Sequence, residues 1–267
     1  MSDGEILEAC QNAPAVDANT FWISMINQWN TGVIFRIRED SVVKHKSQMI
    51  PSELEIAELV RCETCIPIPF HQQFLPPGPQ DNEAYLVMEY VEGQNLADIW
   101  DNLSWWMKFR VAVTLRYYYV HQLRQIPSRL GLSVPGPLGD SAEYCEGRLF
   151  TSDGPQRFTS YSGLCTWYAD RLLWMQTIVR NEYAMKSPAF DRRPLAIVHQ
   201  DLYLRNLLLG SDGQLWMIDW ELEGVYPDWF EYANAQLYAE INTQTMPRSW
   251  TWLIPWMFGR FEGPGQS

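Results

Sequence analysis

The feature that most limits what this chain can become is the run IVHQDLYLRN, residues 197–206, followed closely by LWMIDW, residues 215–220. Leu195 to Val198 is a short apolar run entered from Pro194, Leu207 to Leu209 is a second, and Leu215 to Ile218 is a third. Apolar runs this short, bounded by Gly and Pro, predict buried strands. The Ser211-Asp212-Gly213 turn makes the second and third a hairpin. Asp201 and Asn206 then fall in the loop entering the hairpin, and Asp219 falls at its exit. A carboxylate attached to an apolar strand needs compensation, because an unpaired buried charge is costly. A magnesium ion supplies it, taking a carboxylate or two and substrate phosphates as ligands. The pattern suits holding a hydroxyl, a cation and a nucleotide phosphate together, so it points to phosphoryl transfer.

His199-x-Asp201-x-x-x-x-Asn206, then Ile218-Asp219-Trp220, resembles the aminoglycoside phosphotransferase and choline kinase group, a branch of the protein-kinase-like fold, and within it the fungal phosphotransferase-like proteins. The resemblance extends to Val42-Val43-Lys44, to residues 52–69 and to LVMEYVEGQNLADIW, residues 86–100. It implies an α+β, two-lobed fold with a small β-rich lobe over residues 1–90 and a larger, mostly helical lobe over residues 91–267. It implies Asp201 as the base that takes the acceptor's hydroxyl proton, Asn206 and Asp219 as magnesium ligands, and Lys44 on the α- and β-phosphates of ATP. Lys44 would pair with a Glu on the following helix, and Glu89-Tyr90-Val91 would bind adenine through the backbone, with Glu89 and Val91 making the contacts.

Periodicity selects the glutamate. Leu54, Ile56, Ala57 and Val60 define an apolar helix face, and Glu53 falls near its middle while Glu55 and Glu58 fall opposite. Ser52-x-x-Glu55 reads as a capping box. His199 is expected to order the loop rather than act in the chemistry. Three features depart from the protein-kinase pattern: Tyr203 stands where a γ-phosphate lysine is common, Gln200 replaces an arginine that reads activation-loop phosphorylation, and no Gly-rich loop precedes Lys44. Arg205 is a candidate for the missing cation by charge alone.

The net charge of −12 argues against nucleic acid and anionic membranes. It is compatible with a cationic acceptor, to which Glu221, Glu223, Asp228 and Glu231 are the acids on offer. Five cysteines and an acidic N-terminus without a secretory pattern suggest reduced thiols and a cytoplasmic protein. Cys62-x-x-Cys65 has no second pair, which disfavours zinc. Trp105, Trp106, Trp174, Trp250, Trp252 and Trp256 lie in apolar runs and are expected in helical core. Helices are expected around residues 21–29, 103–126 (stopped by Pro127), 158–183, 228–240 and 248–258, and residues 128–157 read as irregular. The short segment after Asp219 leaves no room for a peptide-docking platform and favours a small-molecule hydroxyl acceptor. The competing reading is a non-catalytic nucleotide-binding protein, a pseudokinase or scaffold, of the same fold.

Overall fold

The computed structural model describes residues 2–12, 33–47, 52–77, 83–139, 144–150, 156–179 and 193–259. The helix expected over residues 21–29 lies outside them. The described chain is α+β, with a sheet-rich N-terminal part and a helical C-terminal part.

Four antiparallel strands, β1 (Val33–Arg36), β2 (Ser41–Ser47), β3 (His71–Leu75) and β4 (Glu83–Glu89), form a sheet of order β1-β2-β4-β3. Alternation along β2 divides its side chains between two faces. Val43 turns to a cluster with Leu75 and Val87, closed by Ile6 and Cys10 of α1 (Asp3–Asn12). That helix was not expected, because an acidic, weakly patterned stretch announces little burial. On the other face Lys44 meets α2 (Ser52–Glu63), whose buried residues are Ser52, Glu53, Ile56, Ala57 and Val60.

The main core runs from α2 into the helical part: Ile56, Ala57 and Val60 share one cluster with Trp100, Leu115, Leu123, Leu207, Met217 and Trp250. After β5 (Gly93–Asn95) come the short α3 (Leu96–Ile99) and then α4 (Trp105–Val113). A π-helical stretch (Thr114–Val120) joins α4 to α5 (His121–Leu130). Pro127 does not stop this helix. The ring removes one N–H, but Leu123, Ile126 and Pro127 are buried, and the end comes at Gly131, whose φ of 70° suits glycine.

α6 (Tyr161–Val179) precedes β6 (Leu195–Val198), which pairs with β9 (Gly224–Pro227), a strand the sequence did not announce. Between them β7 (Leu207–Gly210) and β8 (Leu215–Met217) form the expected hairpin, extended on its far side by β5. The chain ends in α7 (Phe230–Ile241) and α8 (Arg248–Phe258).

The tryptophan expectation needs correction. Trp250 is fully buried, edge-on to Trp100 at 5.3 Å, and Trp256 is partly buried. Trp252, however, is 74% exposed, and Trp105 and Trp106 also face water. Residues two apart on a helix point to nearly opposite sides, so Trp250 and Trp252 cannot share one buried face. The Trp174 side chain lies outside the description.

Candidate active site

Lys44, Glu53 and Asp219 meet where the sheet, α2 and the exit of the hairpin converge. Lys44 Nζ lies 2.8 Å from Glu53 Oε1, 2.7 Å from Asp219 Oδ1 and 3.5 Å from Glu221 Oε2. Lys44 and Glu53 are buried. Burial opposes the Lys44 ammonium, yet Asp219 and then Glu53 more than offset it and hold the pKa well above that of an ordinary lysine. Burial likewise opposes the Asp219 carboxylate, and the Lys44 charge overrides it, bringing the pKa down to about 2. Asp219 is therefore ionised at any working pH.

Asp201 sits in the loop between β6 and β7 with both oxygens engaged. Asn206 Nδ2 donates to its Oδ2 and to its backbone carbonyl, each at 2.7 Å. Arg205 Nη2 lies 2.5 Å from Oδ1 and also bonds Oδ2, while Arg205 Nη1 donates to Tyr238 Oη at 2.7 Å. Arg148 Nη1 donates to Oδ1 at 3.0 Å. Ile218 N–H donates to the Asn206 carbonyl at 3.0 Å, so the hairpin ladder sets Asn206 beside the exit that carries Asp219.

His199 has no exposed surface; its Nε2 lies 3.0 Å from the Ile218 carbonyl oxygen and its ring packs on Trp220 at 4.8 Å. Burial lowers its pKa and keeps it neutral, which suits a bracing role. Gln200 and Asp219 adopt φ of 62° and 64°, left-handed backbone that non-glycine residues rarely take and that concentrates at functional sites. Glu89 and Val91 lie at the end of β4 and in the link to β5. The Glu89 N–H donates to Phe70 O at 2.9 Å, the Tyr90 N–H to Asp40 O at 2.8 Å, and the Arg36 guanidinium covers the Tyr90 ring at 3.8 Å. Among the described contacts neither Glu89 nor Val91 touches the ion-pair cluster.

Sequence reasoning missed Arg148, and it named Glu231 only as an acid that a cationic acceptor could meet, not as a support of the loop. Arg148 opens a short 3-10 turn, Arg148–Phe150, inside the stretch read as irregular. Glu231 lies on α7 and accepts the His199 N–H at Oε2, 2.8 Å, from beneath the loop. Burial raises its pKa to about 7 against the pull of the His199 and Gln200 N–H groups. Its only sequence signal was an acid at a buried helical position. The other acids that a cationic acceptor could use are also accounted for: Glu221 faces Lys44, Asp228 is gripped by Arg193 at 2.9 and 3.0 Å, and Glu223 is buried. Burial, then the Glu53 charge, pushes the Glu223 pKa well above the usual carboxylate range.

Among the described residues no three His, Cys, Asp or Glu side chains converge to hold a metal. The residues expected to hold magnesium would offer one ionised carboxylate, Asp219, and one amide oxygen, Asn206 Oδ1, whose Nδ2 is already engaged. Two hard oxygens with an incomplete shell fit magnesium that shares its remaining positions with phosphates. Cys62 and Cys65 are free thiols on the surface. A cavity of about 300 Å³, lined by Cys65, Met107, Val111, Tyr118, Leu209 and Gly213 among others, shares no residue with the cluster.

No family model matches the chain, and no curated protein matches it. Solved structures do. The GDP complex of aminoglycoside 2'-phosphotransferase-IIIa is 14% identical with a TM-score of 0.54, over 96% of this chain and 81% of that one. The GDP and kanamycin complex of APH(2'')-IIIa is 13% identical with a TM-score of 0.53, over 97% and 82%. ADP-bound APH(2'')-Ib is 14% identical with a TM-score of 0.51, over 91% and 82%. At these identities the likeness defines the fold: that of the aminoglycoside phosphotransferases, within the protein-kinase-like class. No helix among the described residues is long and apolar enough to cross a membrane.

Proposed function

We propose that this protein is an ATP-dependent phosphotransferase that moves the γ-phosphoryl group to a hydroxyl of a small molecule in the cytoplasm. The observation that carries the reading is the convergence of Lys44, Glu53 and Asp219 in one ion-paired group, with the Asp201–Asn206 pair tied to it through the hairpin. The kinase-like fold supports it, as do structural neighbours solved with ATP, GDP or ADP and with aminoglycosides.

In this reading residues 1–90 and 91–267 form two lobes with the nucleotide between them, adenine meeting the backbone of Glu89 and Val91. Lys44, held by Glu53, lies against the α- and β-phosphates. Asn206 and Asp219 would hold magnesium, which supplies charge neutralisation along the phosphates. Asp201 accepts the acceptor's hydroxyl proton. The acceptor oxygen bonds to the γ-phosphorus, the bond from that phosphorus to the β,γ-bridging oxygen breaks, and ADP leaves with the electron pair. His199 braces the loop, and Arg205, held on both Asp201 oxygens, orients the base.

The test is calorimetric titration of ATP with and without magnesium, on wild type, Asp219→Asn and Asp201→Ala. The expected result is magnesium-dependent binding that weakens at least about tenfold in Asp219→Asn and stays intact in Asp201→Ala, with transfer abolished in the latter. Retained turnover in Asp201→Ala would remove the assigned base. Absence of ATP binding by folded wild type would favour the scaffold reading, which the full engagement of the Asp201 oxygens keeps in play.

A further inference from the structure

The position two residues past Asp201 holds Tyr203, and its side chain is turned into the core. Tyr203 is 1% exposed, its hydroxyl donates to the Asn234 carbonyl at 2.7 Å, and its ring stacks on Tyr238 at 3.8 Å. A guanidinium stands over it. Arg148 Nη1 lies 3.5 Å from Tyr203 Oη and 3.0 Å from Asp201 Oδ1, and its Cζ lies 4.8 Å from the Tyr238 ring centre.

The segment carrying Arg148 is built against the loop that carries Asp201. Gln200 Nε2 donates to the Glu146 carbonyl at 3.1 Å, and the Tyr168 hydroxyl donates to Leu149 O at 3.1 Å. Phe150 is buried among Tyr226, Phe230 and Tyr168. Gly147 has a φ of 116°, and a Cβ there would come 2.7 Å from Gln200 Oε1, so the Gln200 side-chain amide packs directly against this glycine. Arg205 reaches both Asp201 oxygens and Tyr238 from within the loop, and Arg148 reaches the same carboxylate from a separate segment, on a partly exposed side chain.

We propose that Arg148 is a catalytic residue that stabilises the transferring phosphoryl group, its N–H donors meeting the equatorial oxygens as Asp201 turns to the acceptor hydroxyl. This rests on the phosphotransferase reading and supplies what that reading lacks, a cation for the charge that develops between the acceptor and ADP. Donors fixed where charge develops need no reorganisation at the moment of reaction, and removing one costs about 10²- to 10³-fold. A planar guanidinium presents paired donors to such a group.

The test is calorimetric binding of ADP and magnesium to the full chain, with and without aluminium fluoride, a mimic of the phosphoryl group in flight. Wild type, Arg148→Gln and Arg148→Lys are compared, with thermal unfolding as a check on folding. Aluminium fluoride is expected to tighten ADP binding in wild type by about 100-fold or more, Arg148→Gln to lose most of that gain with ADP affinity unchanged, and Arg148→Lys to keep part of it. An undiminished gain in Arg148→Gln would overturn the assignment, as would a folded wild type that binds ADP with no gain. Failure to bind ADP at all would instead strike at the nucleotide site itself.

Discussion

Glu231→Gln should change how stability depends on pH. The Glu231 carboxyl lies beneath the catalytic loop, 5% exposed, with a pKa raised from 4.5 to about 7 because burial outweighs the N–H bonds it accepts. Its folded pKa lies above its unfolded one, so the folded state binds the proton more tightly. The stabilisation is fully present below pH 4.5 and is lost as pH rises through 7. At about 1.4 kcal/mol per tenfold change in proton affinity, the whole interval is worth about 3 kcal/mol. That is a large part of the 5–15 kcal/mol typical of a domain. Urea unfolding at pH 5 and pH 8 measures it: the wild type should lose about 2–3 kcal/mol that Glu231→Gln does not lose. Gln keeps an acceptor for the His199 N–H, so the variant should fold. Equal losses in the two proteins over that interval would refute the reasoning.

Gly147→Ala forces a side chain into left-handed backbone and against Gln200. It should cost about 1–3 kcal/mol in thermal unfolding and weaken the aluminium fluoride gain by displacing Arg148. Trp250→Ala should cost about 3–5 kcal/mol, whereas Trp252→Ala, on the same helix but in water, should stay within about 0.5 kcal/mol in the same assay.

The hairpin was legible because three short apolar runs with a Ser-Asp-Gly turn allow few alternatives, and it fixes Asp201, Asn206 and Asp219 at one end. The Lys44–Glu53 contact was legible for another reason: an acid in the middle of an apolar helix face must find a cation, and of the two lysines on that face of the preceding strand the resemblance singled out Lys44. Arg148 was not legible. It sits among glycines and prolines, where no period relates sequence to direction, and its place is set by Gln200 and Phe150 across the fold. Strand β9 was missed since its four residues are buried on both faces and lack alternation. The exposed tryptophans were misjudged because residue type was read without the geometry of the helix that carries them.

The apolar face of α2 belongs to the same core as Trp100, Leu115 and Trp250. A fragment ending near residue 90 would therefore carry its sheet but present Ile56, Ala57 and Val60 to water, and would aggregate rather than fold alone. α2 thus works as a rivet between the two parts: Leu54 packs against Ala84 and Leu86 of the sheet, while Ile56, Ala57 and Val60 enter the core of the helical part.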